Sequence, residues 1–204
     1  LSESLCMKRL VLATRNLHKT REIKAILQDL NLELLTAADF PEIPQLVEDG
    51  ATLEENAVKK AQIVFQATKL PSLADDSGLE VFYLAKRPGV LSARYAGPDA
   101  IYEANNKKLL TELKGVPPRR RNAQFRCVIA LVTDRGKRAV EGSTQGKITE
   151  EPRGSNGFGY DPLFQPEGFD VTYAELPEEI KNRISHRAKA LENVKPYLQE
   201  YFRL

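Results

Sequence analysis

Cysteine and histidine are scarce: Cys6, Cys127, His18 and His186 are all that 204 residues contain of either type. The two cysteines form neither a disulfide framework nor a metal-ligand spacing, so a reducing cytoplasm is the expected setting. Two histidines exclude a histidine-rich metal site, and Cys127, inside an apolar stretch, is expected to be an inert core thiol. No apolar run approaches the roughly 18 residues of a membrane span, and no signal-peptide pattern is seen. The Gly-x-x-x-x-Gly-Lys-Ser/Thr phosphate loop is absent. A net charge of +2 is too small to imply nucleic acid by itself. Repeats, low-complexity tracts and linkers rich in Gly, Ser or Pro are lacking too, so nothing divides independent domains.

The 42% hydrophobic and 28% charged content is that of an ordinary globular protein, long enough for one large domain or two closely joined lobes. Leu1 to Cys6 are read as an extension without structural meaning, leaving residues 7–204 as a single domain. The run Leu10-Val11-Leu12-Ala13 predicts a strand buried on both faces, and Ile23, Ile26, Leu27 and Leu30 recur at helical spacing. Thr52-Leu53-Glu54-Glu55 has the form of a capping box, opening a helix that carries Ala57, Ala61, Val64 and Phe65. A strand over 79–84, a loop over 86–99, a helix over 101–113 and paired strands over 125–133 and 138–146 follow. A long loop over 153–162 precedes helices starting near Pro177 and Ser185, the second expected to be kinked or interrupted by Pro196. The class is α/β with mixed strand order.

Asp75 and Asp76 stand side by side in an apolar context, expected at a strand end. Two adjacent carboxylates repel and are costly to desolvate, so either a cation offsets them or Asp-Asp-Ser-Gly is a solvated turn. Glu48 could be a third carboxylate for that cation. Of Lys59 and Lys60, at least one should face water. Thr14-Arg15-Asn16-Leu17-His18-Lys19 lies between a strand and a helix start, where free N–H groups and Lys19 favour an anion; alternatively Asn16 is a plain N-cap. Phe158-Gly159-Tyr160-Asp161 offers a ring and an acceptor of the kind a purine site uses, and His186-Arg187 brings donors. Arg119-Arg120-Arg121 is expected to be a solvated turn, although an RNA- or nucleotide-binding module without catalysis would use it.

These segments, in this order, closely resemble the inosine triphosphate pyrophosphatase family, the dITP/XTP pyrophosphatases that clear non-standard purine nucleotides. The matching blocks are Ala13-Thr14-x-Asn16-x-x-Lys19, Glu55-Asn56-Ala57, Ala74-Asp75-Asp76-Ser77-Gly78-Leu79, Ser92-Ala93-Arg94-Tyr95, Gly157-Phe158-Gly159-Tyr160-Asp161-Pro162 and Ile184-Ser185-His186-Arg187. One departure is Arg15, where the family usually has glycine. The resemblance implies a mixed, elongated central sheet flanked by helices, two lobes with the active site in the cleft between them, and a homodimer. It implies hydrolysis of dITP, ITP or XTP to the monophosphate and pyrophosphate by attack on the α-phosphorus, keeping these nucleotides out of nucleic acid, with no stable nucleic-acid or membrane partner. Thr14, Asn16, Lys19 and Lys60 would meet the triphosphate, and Arg15, in place of the glycine, would add positive charge near the phosphates to that binding set. Glu48, Asp76 and, less firmly, Asp75 would hold Mg2+, with Asp76 as proton acceptor or as acidic neighbour of a metal-activated water. Ser77, Phe158, Gly159, Tyr160, Asp161, Lys181, His186 and Arg187 would contact the substrate, Arg187 and the backbone near His186 reading a purine 6-oxo group.

Overall fold

Leu10, Val11, Leu12 and Ala13 are essentially inaccessible because their strand has neighbours on both edges. The structure, a computed structural model, describes residues 8–204, so the expected extension Leu1 to Cys6 lies outside the described residues. The strand, β1 (Arg9–Leu12), pairs in parallel with β2 (Glu33–Thr36) on one side and with β3 (Ser72–Val81) on the other. The sheet continues through β5 (Asn122–Thr133), β6 (Gly136–Ile148) and β7 (Phe164–Pro166), with β4 (Arg87–Pro88) antiparallel to the end of β3. The hydrogen-bonded order is β2-β1-β3-β5-β6-β7, the mixed sheet that the strand pattern implied. Among the described residues no helix is long and apolar enough to cross a membrane.

The chain divides into two compact units. The first takes the chain up to Asp76 together with Val128–Val140 and Ala190–Leu204. Besides most of the C-terminal helix it holds α1 (Leu17–Ile26) and α2 (Leu53–Thr68), which bury Ile23, Ala57, Ala61 and Val64. Thr52 Oγ1 accepts a hydrogen bond from Glu55 N at 3.1 Å, the predicted cap. The second unit, Ser77–Cys127 and Glu141–Lys189, holds α3 (Tyr102–Glu112) and α4 (Glu178–Ile184) around a core of Leu79, Leu109, Leu113, Phe125, Leu163, Phe164 and Tyr173. Cys127 is fully buried, as expected of a core thiol.

Four expectations change. Asp75 and Asp76 are neither in a turn nor at a strand end: they lie in the middle of ten-residue β3, which pairs with β1 before them and β4 after them, so the chain has no reason to reverse. The strand predicted over 79–84 begins at Ser72 and stops at Val81, giving way to a short 3-10 turn. The loop expected over 86–99 is partly ordered, because a 3-10 segment at Gly89–Arg94 packs against β3. There Ser92 Oγ accepts from Leu79 N at 2.9 Å, and a Cβ on Gly78 would come within 2.4 Å of the Gly89 carbonyl oxygen. Finally, of the two outcomes expected at Pro196, interruption does not occur: α5 (His186–Phe202) continues through it, with Leu191, Val194 and Leu198 fully buried along it.

Arg121 also departs from the solvated turn. Its guanidinium is buried and donates to the carbonyls of Leu113 (2.9 Å), Val116 (3.4 Å), Ile148 (2.9 Å) and Thr149 (2.7 Å). Its donors are committed to joining the end of α3 to the end of β6. Arg121→Leu should therefore destabilise the protein by about 2–4 kcal/mol, whereas alanine at Arg119 or Arg120 should change stability by less than about 0.5 kcal/mol, as read by urea unfolding.

Candidate active site

Helical phase places two polar residues on the buried face of α2. Asn56 and Lys60 are one turn apart and lie among Leu53, Ala57, Ala61 and Val64. Lys60, 4% exposed, sends its ammonium group to Glu48 Oε1, to the Asp75 carbonyl at 2.7 Å and to Asp76 Oδ1 at 3.1 Å. Asn56 Nδ2 donates to the other Asp76 oxygen, Oδ2, at 3.1 Å. Lys59 points outward and pairs with Asp49, so one of the two lysines faces water as expected.

Successive strand side chains point to opposite faces. The Asp75 carboxylate accordingly goes elsewhere, its Oδ1 lying 3.2 Å from Lys19 Nζ. Three carboxylates thus face two ammonium groups, and the imbalance falls on Asp76. Burial pushes Asp76 up to about 6; Lys60 pulls it down, while Glu48, in hydrogen-bond contact with it, pushes it up again. Burial also opposes ionisation of Glu48, but Lys60 and Lys19 more than offset this and hold it below its ordinary value. Burial likewise opposes the Lys60 charge, yet Asp76, Glu48 and Asp75 keep its pKa raised.

This donor set suits a divalent cation. Glu48 and Asp76 present two carboxyl groups in mutual contact, with negative charge in excess. Among the described residues no group of three His, Cys, Asp or Glu converges as a ligand set. Mg2+ fits such a site, because it commonly takes one or two carboxylates and fills its other positions with water and substrate phosphate oxygens.

Upstream, Asn16 caps α1, its Oδ1 accepting from His18 N at 3.0 Å and Lys19 N at 3.2 Å, while Thr14 Oγ1 accepts from Asn16 N at 3.1 Å. Arg15 reaches across to the Ile43 carbonyl at 2.8 Å, tying down the loop where a glycine would leave it free.

The second unit gathers the other predicted residues. Asp161 Oδ2 accepts from Phe158 N at 2.8 Å and from Lys181 Nζ at 2.5 Å, with both side chains about 5% exposed or less. Gly157 makes room for this carboxylate: a Cβ there would lie 2.1 Å from Asp161 Oδ2. The Phe158 ring has Lys181 Nζ 5.0 Å and Arg187 Cζ 5.7 Å from its centre. Arg187, 2% exposed, also reaches Ser77 Oγ at 3.3 Å. Gly159 gives its carbonyl to Asn106 Nδ2 at 3.0 Å. Two of the predicted residues are turned inward. The Tyr160 hydroxyl donates to the Ser92 carbonyl at 2.9 Å, and the His186 ring stacks on Phe125 at 4.5 Å, tilted by only 10°. Sequence reasoning gave no role to Asn56, Asn106 or Phe125. A polar residue in the apolar phase of α2 is the signal that marks Asn56.

A family model described as the Ham1 family matches residues 10–197. A dITP/XTP pyrophosphatase of Geobacter sulfurreducens is 54% identical over 94% of this chain and 97% of its own length. Another from Bacillus licheniformis is 48% identical over 95% and 100% respectively. Among solved structures, a HAM1 protein from Coxiella burnetii superposes with a TM-score of 0.86 at 42% identity, covering 95% of this chain and all of that one. A nucleoside-triphosphatase / dITP/XTP pyrophosphatase from Mycobacterium abscessus gives 0.74 at 42% identity, covering 93% and 99%.

The raised pKa of Asp76 has a consequence for stability. An unfolded aspartate titrates near 3.8 and the folded Asp76 near 6, so between these values the folded state holds the extra proton. The contribution of this group to stability therefore falls as pH rises through that window, by at most about 3 kcal/mol once pH 7 is reached. Relative to Asp76→Asn, which does not titrate, the wild type should lose up to about 3 kcal/mol of stability between pH 4 and pH 7.5 in metal-free buffer, as read by denaturant titration at both pH values.

Proposed function

The chain belongs to the Ham1 family, and we propose that it is a nucleoside-triphosphate pyrophosphatase converting dITP, ITP and XTP to the monophosphate and pyrophosphate. The observation that carries this reading is the buried cluster of Glu48, Asp76 and Lys60, in which negative charge exceeds positive. The names of the relatives supply the substrate class.

Phosphoryl chemistry asks for positioning and charge neutralisation more than for covalent help. Glu48 and Asp76 would hold Mg2+, which when bound supplies Lewis-acid neutralisation of phosphate oxygens. Lys19 and Lys60 offset charge as it builds on the departing pyrophosphate, and Thr14 and Asn16, at the start of α1, align the polyphosphate. A carboxylate that holds a cation loses basicity, so Asp76, whose raised pKa belongs to the metal-free protein, would hold the ion and stand as the acidic neighbour of the attacking water.

At the other end of the substrate, Phe158 provides a stacking face, and Lys181 is held by Asp161 beside it. Arg187 and the backbone at the start of α5 donate to a 6-oxo group, the acceptor that hypoxanthine and xanthine share. Adenine would bring its amino group against those donors and leave them unpaired, a mismatch that hydrogen-bonded sites reject strongly. A homodimer belongs to this reading on the family resemblance.

The test is to incubate the purified protein with dITP, XTP, ITP, ATP and GTP, with and without Mg2+, and to measure pyrophosphate and orthophosphate separately. Pyrophosphate from the non-standard purines, only with Mg2+ and with little from ATP, is the expected result; orthophosphate as the primary product would overturn the reaction, and equal turnover of ATP the specificity. Phe158→Ala should raise KM for dITP by about tenfold or more, the worth of a stacked base. An unchanged KM would place that ring outside the site.

A further inference from the structure

One side chain ties Asp76 to the loop that bears Glu48. Asn56 is completely buried and uses both ends of its amide. Its Nδ2 donates to Asp76 Oδ2 at 3.1 Å, and its Oδ1 accepts from Gly50 N at 2.8 Å. Gly50 stands two residues after Glu48, so one rigid side chain spans from one carboxylate to the loop bearing the other. The residue before it repeats the grip, Glu55 Oε2 accepting from Ala51 N at 2.7 Å. The fit at Gly50 is close: a Cβ there would lie 2.7 Å from Asn56 Oδ1 and 2.9 Å from Glu55 Cβ.

The geometry points to Asn56 as a positioning residue that fixes the Glu48–Asp76 pair at the separation and orientation a divalent cation requires, an inference that rests on the cation-dependent reading above. Lys60 takes Asp76 Oδ1 and Asn56 takes Oδ2, so the carboxyl group cannot rotate without breaking one of the two bonds. With its backbone tethered at Gly50 and Ala51, the loop brings Glu48 to the same place each time. Groups behind metal ligands have this effect because they remove the freedom that binding would otherwise have to freeze out.

The test compares wild type, Asn56→Ala and Gly50→Ala as full-length, metal-free proteins. Mn2+ binding is read by electron paramagnetic resonance, IMP binding by calorimetry, melting by circular dichroism, and kcat and KM with dITP. Both substitutions should weaken Mn2+ binding and lower kcat by about 10–100-fold, while IMP affinity stays within about twofold. A merely structural role would lower the melting temperature and leave the Mn2+ affinity of the folded protein unchanged; that outcome overturns the inference. Should Asn56→Ala fail to fold, Gly50→Ala, which displaces the loop but keeps the amide, decides alone. A wild type that binds no Mn2+ and releases no pyrophosphate overturns the cation reading as well, whereas a wild type that does both, with variants to match, overturns only the role of Asn56.

Discussion

The Lys60 ammonium group, set between Glu48, Asp76 and the Asp75 carbonyl, is the interaction on which the rest of this site depends. A lone ammonium on the inner face of α2 would be very costly to bury, and so would two carboxylates in mutual contact; each makes the other tolerable. The compensation is incomplete. Burial and Glu48 leave Asp76 well above an ordinary aspartate, a standing deficit of positive charge around a carboxylate that is itself almost inaccessible.

The Lys181–Asp161 pair in the second unit makes an instructive contrast. It is more deeply buried than the Lys60 cluster, whose Glu48 is partly exposed, and there one ammonium meets one carboxylate that also accepts from a backbone N–H. A balanced, hydrogen-bonded pair beside an aromatic ring suits a neutral, planar ligand read by its edges, whereas an acid-rich pair suits a cation carrying phosphate.

Much of this was legible in the sequence, for identifiable reasons. The apolar run of β1, the helical phase of α2 and the cap at Thr52 are local signals, and the structure keeps them. The placement of Asp75 and Asp76 was not local. Turn-forming residue types masked a strand that exists because β1 and β4 pair with its two ends. Arg121 reads as one of three exposed arginines until the carbonyls at the ends of α3 and β6 are brought to it. Pro196 reads as a kink or an interruption, and buried side chains on either side of it keep α5 continuous. Asn56 stood within a recognised block, yet its meaning depends on a loop six residues back and a strand twenty residues on.

The central claim is that Glu48 and Asp76 act as one cation site rather than as two separately paired acids. A double-substitution cycle on Mn2+ affinity, with Glu48→Gln, Asp76→Asn and the two combined, tests it most directly. Either single change should remove most of the binding, and the combination should be little worse than each alone. Two small effects that simply add would contradict the account.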